Sequence, residues 1–402
     1  MKKSVLFGAI ISCLMILVLV FSATALAQQK AGNDFKWPPM FRIATPTTQS
    51  ASFASTNGWA PLLRNDTGVN IRVVPEDSEL RRYMRFAISK EFEMASISIA
   101  DGAASMEGQD GYKTQRAMPT RILWFQNDTP WSFVVRGDSD IKTVYDLKKK
   151  GVRVALSTQS PPMMVAVQEA LPAFLGWTKE EAAANWTFVP AGSYPDNCRS
   201  ITDGRADVAY VTPISSITFE MEAHPRGLRW LALPLDDKAG WQRFMDFRPT
   251  VIPVTMDFGV KSALGVDGLA SAFLYYTRPD LDQEMVYRVA KWLHESFDDY
   301  KDVHAIAKRM SLDHFRKFLN HNPYPVAEGT IRYLREIGQW TEADDQWNND
   351  AIALQERWIA ARNAALDEAE AKKVKVHFEE PEFLAIFKKH TEGIPVFTTR
   401  LD

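Results

Sequence analysis

The sequence predicts a two-lobed α/β protein with a helical C-terminal extension, on three observations. Phe133 to Leu156 packs a strand, a turn, a short helix and a second strand into about two dozen residues. An order of strand, loop with helix, strand, helix and strand begins at Phe41 and recurs loosely from Val152. The stretch from Asp344 to Val376 is rich in Ala, Glu and Lys and repeats apolar residues at helical spacing.

Taken in order, Phe41 to Ala44 is a short strand of apolar and β-forming residues, and Thr45 to Thr56 is a hydroxyl-rich loop or helix start. Trp59 to Leu63 continues as helix, and Asn65-Asp66-Thr67-Gly68 has turn chemistry. Val69, Ile71 and Val73 alternate as a strand. Ser78 to Ile88 is an amphipathic helix with Leu80, Met84 and Ala87 on one side, and Phe92, Met94, Ser96 and Ser98 mark the next strand.

In the Phe133–Leu156 unit, Gly137 to Asp140 breaks the strand. Thr143 and Asp146 have capping-box spacing. Ile141, Val144 and Leu147 form the buried stripe, Lys148 to Lys150 suit the negative end of the helix, and Gly151 permits a left-handed exit. Val152 to Leu156 is then a strand, Ser157 to Pro162 a polar loop and Met163 to Phe174 a helix. Trp186 to Val189 is a strand, Asn197 to Thr202 helical and Ala206 to Val211 a strand. Val251 to Val260 and Leu269 to Phe273 are strand-like. Pro279 to Phe297, Pro323 to Gly338, Asp344 to Val376 and Pro381 to His390 are helical.

Composition narrows the class. The chain has 402 residues, 47 basic and 50 acidic, for a net charge of −3. That balance argues against nucleic-acid binding. Lys2 and Lys3 precede a nearly uncharged apolar run from Leu6 to Phe21, and Ala25-Leu26-Ala27 offers small residues for cleavage after Ala27. The expectation is a signal peptide and export to the periplasm. An uncleaved anchor and a lipoprotein modified at Cys13 are the alternatives. Cleavage would leave Cys198 without a partner for an internal disulfide. The expected organisation is a signal peptide over 1–27, a leader over 28–40, the first part of lobe 1 over 41–134 and lobe 2 over 135–249. A return to lobe 1 with its C-terminal helices follows over 250–340, and a helical extension over 341–402.

Four segments carry a resemblance. Arg136 to Lys148 reads R-x-D-S-x-I-x-x-x-x-D-L-K and runs into a buried strand. Arg42-Ile43-Ala44-Thr45 opens the fold. Ser89 to Ala95 matches S/N-G-E-x-D-x-A, with Asp101 following. Ile201 to Ala209 matches L-x-D-G-x-x-D-A-x, with Thr212 after it. The first resembles the crossover of class II periplasmic solute-binding proteins. Together, over about Phe41 to Gly338, they resemble the TAXI family, solute-binding subunits of tripartite ATP-independent periplasmic (TRAP) transporters.

The resemblance implies a class II periplasmic-binding-protein fold with a hinge and an interlobe ligand cleft. It implies no catalysis and no cofactor, a small organic anion (a carboxylate or an amino-acid-like solute) as ligand, and a permease driven by an ion gradient as partner. The chain departs from the family at its two glycine-rich loops. Ala44 to Ser50 and Ser157 to Pro162 contain no glycine and offer hydroxyls and an amide instead. A ligand sensor for a membrane kinase and an exported enzyme on the same fold are the competing classes.

Ligands in open α/β sheets sit at the carboxyl ends of strands, so the polar loops there are the candidate site. After the first strand these are Thr45, Thr47, Thr48, Gln49 and Ser50; in the second lobe they are Thr158, Gln159 and Ser160. Ser78 and Ser98 begin helices in the first half, and Thr212 and Ser215 follow a strand in the second. Arg248 lies near the return and suits a carboxylate. Each Ser and Thr has the competing role of helix cap, as does Asp101. Arg81, Arg82 and Arg85 read as a solvated helix face. Trp131 and Trp241 are candidate aromatic floors, with core packing as the competing role.

No G-x-S-x-G elbow, P-loop, H-E-x-x-H or dinucleotide fingerprint occurs in the sequence. His304, His314 and His321 lack zinc-ligand spacing, so no metal is expected. Cys198 has no nucleophile signature. The apolar residues Trp347, Ile352, Leu354, Trp358, Ile359 and Leu366 are expected on one face of the tail helix, either docked on the protein's own lobe or facing a partner.

Overall fold

The computed structural model describes residues 35–400. The expected signal peptide, its cleavage after Ala27, the lipidation alternative at Cys13 and the start of the leader lie outside the described residues. Among the described residues no helix is long and apolar enough to cross a membrane.

Ten strands form one continuous sheet. They are β1 (Phe41–Thr45), β2 (Ile71–Pro75), β3 (Met94–Ser98), β4 (Arg121–Arg136), β5 (Val152–Ser157), β6 (Trp186–Ala191), β7 (Val208–Val211), β8 (Leu228–Leu231), β9 (Ile252–Thr255) and β10 (Asp267–Thr277). Their order is β2-β1-β3-β10-β4-β7-β5-β6, with β8 added to β4 and β9 to β10. Lobe 1 therefore reads β2-β1-β3-β10-β4, and lobe 2 reads β6-β5-β7-β4-β8. The two halves repeat one strand order. In each, three parallel strands are joined to an antiparallel strand of the crossover. This is the class II periplasmic-binding-protein topology expected from the sequence.

The crossover is the long strand β4. Arg121 to Trp131 pair with β10, while Ser132 to Arg136 pair with β7 and β8. The chain passes into lobe 2 along β4 and returns along β10. Arg121 to Ser132 was not assigned from the sequence, because Asn127-Asp128-Thr129-Pro130 has turn chemistry. The structure accommodates it with a register shift near Phe273, and Pro130 pairs on one side only, with Ala270. Gly268 of β10 lies so close to this crossing that an added Cβ would fall 2.6 Å from the Trp131 carbonyl oxygen.

Local signals mostly act as read. Ser50, Ser78 and Ser98 cap helices starting at Ala51, Glu79 and Ile99. The Thr143–Asp146 capping box forms, and Gly151 takes φ 84°. The element it caps is one 3₁₀ turn, Val144–Leu147, rather than a helix, ending at Lys148 before the chain reaches Gly151. The first helix runs through Thr67 to a left-handed Gly68, so the expected turn at Asn65 begins later. Two helices near the cleft contain π turns, Met84–Ile88 and Ala166–Ala170.

Each lobe has its own apolar core. Trp59, Phe86, Trp124, Tyr275 and Leu293 belong to the first, and Phe133, Val154, Phe174, Tyr210 and Trp241 to the second. Trp241 packs between Phe174 and Phe244 inside lobe 2, away from the cleft, and so takes the core-packing role of its two readings.

The tail is a 30-residue helix, Glu342–Ala371, followed by a helix over Pro381–Thr391. It docks on lobe 1, but not through the expected apolar face. Only Trp358 and Leu366 of that set are fully buried. The buried stripe is instead Asp344, Asn348, Ala351, Gln355, Trp358, Arg362, Ala365, Leu366 and Ala369. Its polar members satisfy lobe 1 backbone groups. Asn348 accepts from Val326 N, and Gln355 donates to the Thr120 carbonyl. Arg362 donates to the carbonyls of Ser105, Met106, Tyr112 and Gln115. Trp347, Leu354 and Ile359 pack half-buried at its flanks.

Candidate functional site

The carboxyl ends of six strands from both lobes converge on one cleft. Its outer chamber, about 70 Å³, takes Thr47, Ser50 and Ser52 from beyond β1, and Asp77 and Glu79 from beyond β2. Lobe 2 supplies Gln159 and Ser160 after β5, Tyr194 after β6, and Thr212, Ile214 and Ser215 after β7. The crossing strands contribute Thr129, Trp131 and Phe273. An inner chamber of about 40 Å³ shares Glu79, Trp131, Ser160, Met163 and Phe273, and adds Ser98, Asp101, Tyr210, Arg248 and Ser271.

The lobes touch around these chambers. Glu79 N donates to the Gln159 carbonyl at 3.2 Å, and Ser216 N to the Gln49 carbonyl at 3.2 Å. Tyr194 N donates to Asp77 at 3.3 Å, and the Ser160 hydroxyl to Asp101 at 3.4 Å. Ala51, Ile214 and Ile306 make an apolar contact at the rim, with Phe258 packed against it.

Several polar atoms around this space have no partner within the protein. They include Trp131 Nε1, Gln159 Oε1, Thr212 Oγ1 and Ser271 Oγ. An unpaired buried polar group costs about 1–3 kcal/mol. Four such groups from lobe 2 and the crossing strands, facing one pair of chambers, mark where a guest would make hydrogen bonds. Trp131 is held for this by stacking on Tyr210 at 4.9 Å and by an edge contact with Tyr194.

Of the expected residues, Thr47, Ser50, Gln159, Ser160, Thr212 and Ser215 line the outer chamber. Ser98, Ser160 and Arg248 line the inner one. The others are turned to structural work. The Thr45 hydroxyl donates to the Pro46 carbonyl, Gln49 uses its carbonyl on Ser216, and the Thr158 hydroxyl donates to the Ala191 carbonyl. Ser78 caps its own helix, and Thr48 lines neither chamber. Several lining hydroxyls also cap helices. Ser50 accepts from Phe53 N, and Ser98 from Asp101 N.

The reading of Arg81, Arg82 and Arg85 as a solvated face is corrected at Arg82. It is fully buried, ion-paired with Glu79 and donates to the Glu76 carbonyl. Residues missed from the sequence are Asp77, Glu79, Thr129, Tyr194, Tyr210, Ser271 and Phe273. Asp77 and Glu79 sit just beyond β2, where the strand-end rule that selected the Thr45 loop would have found them. Burial raises the carboxyls of Asp77 and Asp101 and pushes Glu79 up to about 8, against the pull of Arg82.

Cys198 is buried beside Tyr194, and burial pushes its thiol up to about 12, as befits a packing residue. Among the described residues no group of three His, Cys, Asp or Glu side chains is placed to hold a metal ion.

Comparison with known families matches residues 43–338 to the NMT1-like family. No curated protein matches the chain. Among solved structures, the chain is similar to the periplasmic aliphatic sulphonate-binding protein SsuA of Escherichia coli. The two share 12% identity over 78% of this chain and 84% of that one, with a TM-score of 0.40. The alkanesulfonate-binding SsuA of Xanthomonas axonopodis pv. citri shares 13% identity over 86% and 98%, with a TM-score of 0.39. The binding component of a phosphonate transporter from Pseudomonas aeruginosa shares 15% over 88% and 98%, with a TM-score of 0.41. At this distance the fold assignment rests on the chain's own strand order.

Proposed function

The chain belongs to the NMT1-like family, and from that premise we propose that it is an extracytoplasmic receptor which closes two lobes around a small organic solute. One observation carries the reading: partnerless polar atoms from the hinge and lobe 2, Trp131 Nε1, Gln159 Oε1 and Thr212 Oγ1, line one interlobe chamber. The receptor holds its solute without reacting with it, in keeping with its family and fold. Water is displaced from a largely apolar slot, and fixed donors and acceptors replace the hydration of the polar ends.

The closed form then delivers its solute to a membrane permease. The resemblance of four segments to TAXI subunits supports a TRAP-type permease driven by an ion gradient. The organic anion expected from that resemblance has one guanidinium among the residues lining the two chambers, Arg248. That group is committed to the Pro162 carbonyl at 2.7 Å.

A thermal-shift screen of small solutes tests capture. A ligand at a hundred times its dissociation constant stabilises by about 2.7 kcal/mol. Uptake into vesicles carrying the permease tests delivery: the proposal requires transport with an ion gradient and no ATP. Transport that needs ATP would refute the TRAP assignment.

A further inference from the structure

Helix N-termini attract anions, and several point into this cleft. The chain's own carboxylates already occupy some of those positions. Asp77 of lobe 1 accepts Tyr194 N, at the first turn of the helix Tyr194–Thr202 in lobe 2. Asp101 lies in the first turn of the helix Ile99–Glu107, and it also takes the hydroxyl of Ser160, which stands at the N-cap position of the helix Pro161–Val165 without capping it through its side chain. Glu79 begins its own helix. The outer chamber contains Asp77 and Glu79 and no lysine or arginine.

Two groups at least nine-tenths buried lack partners in the same chamber, Trp131 Nε1 (8% exposed) and Thr212 Oγ1 (6%). The indole N–H requires an acceptor. Beside it, the helix starting at Ala51 has no acidic residue in its first turn, so its N-terminus also favours an acceptor. Three aromatic rings, Trp131, Tyr194 and Phe273, wall the space between acceptor-seeking and acidic ends. Such walls suit a cation. Burial raises the Asp77 carboxyl against the opposing pull of Tyr194 N and Arg82.

We propose that the solute is a small amine-bearing molecule without net negative charge, its nitrogen toward Asp77 and a hydrogen-bond acceptor toward Trp131 Nε1. This rests on the receptor reading and assigns its ligand class. An added carboxylate would meet Asp77 across the outer chamber, whereas an ammonium gains from it; Glu79 is already ion-paired with Arg82.

The test is titration calorimetry of the full exported chain with size-matched probes: alaninamide against lactate, and benzylamine against benzoate. The amine of each pair should bind at least about tenfold more tightly. Asp77→Asn should shrink that ratio while leaving the fold intact by circular dichroism. Trp131→Phe keeps a ring and removes the N–H. It should weaken alaninamide, which has a carbonyl acceptor, more than benzylamine, which has none. Carboxylates binding as well as or better than their amine partners would overturn the ligand class and leave the receptor reading standing. Absence of binding by all four probes would overturn the ligand class, while the receptor reading stands or falls on the thermal-shift screen.

Discussion

Asp77, beyond β2 in lobe 1, accepts the backbone N–H of Tyr194 in lobe 2 at 3.3 Å. The two residues are 117 positions apart. The contact joins a carboxylate to a helix N-terminus across the cleft, so lobe closure and cleft electrostatics depend on the same atoms. The lobes meet through a few such bonds and a small apolar rim, which suits a reversible hinge rather than a permanent interface.

The chamber assignment separates neighbouring hydroxyls and amides. Gln159→Ala and Thr212→Val should each weaken solute binding by about 0.5–1.5 kcal/mol, the size of one net hydrogen bond. Thr48→Ala should leave affinity unchanged, since Thr48 lines neither chamber. Titration of the three variants checks this. A loss at Thr48 equal to that at Gln159 would contradict the geometry.

Arg362 is fully buried and donates to four lobe 1 carbonyls, with no carboxylate among those partners. Burial lowers its guanidinium to about 10. Arg362→Ala strands those carbonyls, so it should destabilise the chain by at least about 3 kcal/mol in urea unfolding. A loss under about 1 kcal/mol would mean that the tail helix is not anchored there.

Glu107 gives stability a pH dependence. It is buried against Phe397 N, and burial raises its carboxyl to about 7. The folded state therefore holds this proton more tightly than the unfolded state. The stabilisation is complete below about pH 4.5 and is lost as pH rises toward 7, by at most about 3 kcal/mol. Glu107→Gln should flatten that fall when unfolding is measured at pH 5 and pH 8. An unchanged slope would assign the pH dependence elsewhere.

Gly268 has no room for a side chain at the crossing. Gly268→Ala forces β10 away from the Trp131 carbonyl, and should cost about 1–3 kcal/mol and lower solute affinity. Wild-type melting and affinity in this variant would show that the hinge strands tolerate separation.

Most strands of the two halves were legible because apolar alternation and turn chemistry are local, whereas Arg121 to Ser132 and Leu228–Leu231 were not. Phe41, Val152 and Val208 each open strands where the pattern changes. The hydroxyl loops after β1 and β5 were legible as well, and six of their residues and those beyond β7 reach the outer chamber. Tyr194 was not, because its role arises only when two distant segments meet, whereas Asp77, just beyond β2, lay within reach of the same strand-end rule. Arg82 read as solvated for a different reason, and Arg362 gave no signal at all. A charged residue on an amphipathic helix is usually exposed, and only tertiary carbonyls or a buried carboxylate reveal the exception. The tail was misread for the same cause: its buried stripe is polar, so apolar spacing selected the wrong face.

Closure on a guest is most directly tested by the distance between spin labels at Arg72 of β2 and Thr187 of β6, both exposed edge-strand positions on opposite lobes. A broad distribution without solute should narrow to a single population when a binding solute is added. A distribution that stays unchanged at saturating solute would contradict a cleft that shuts around its ligand.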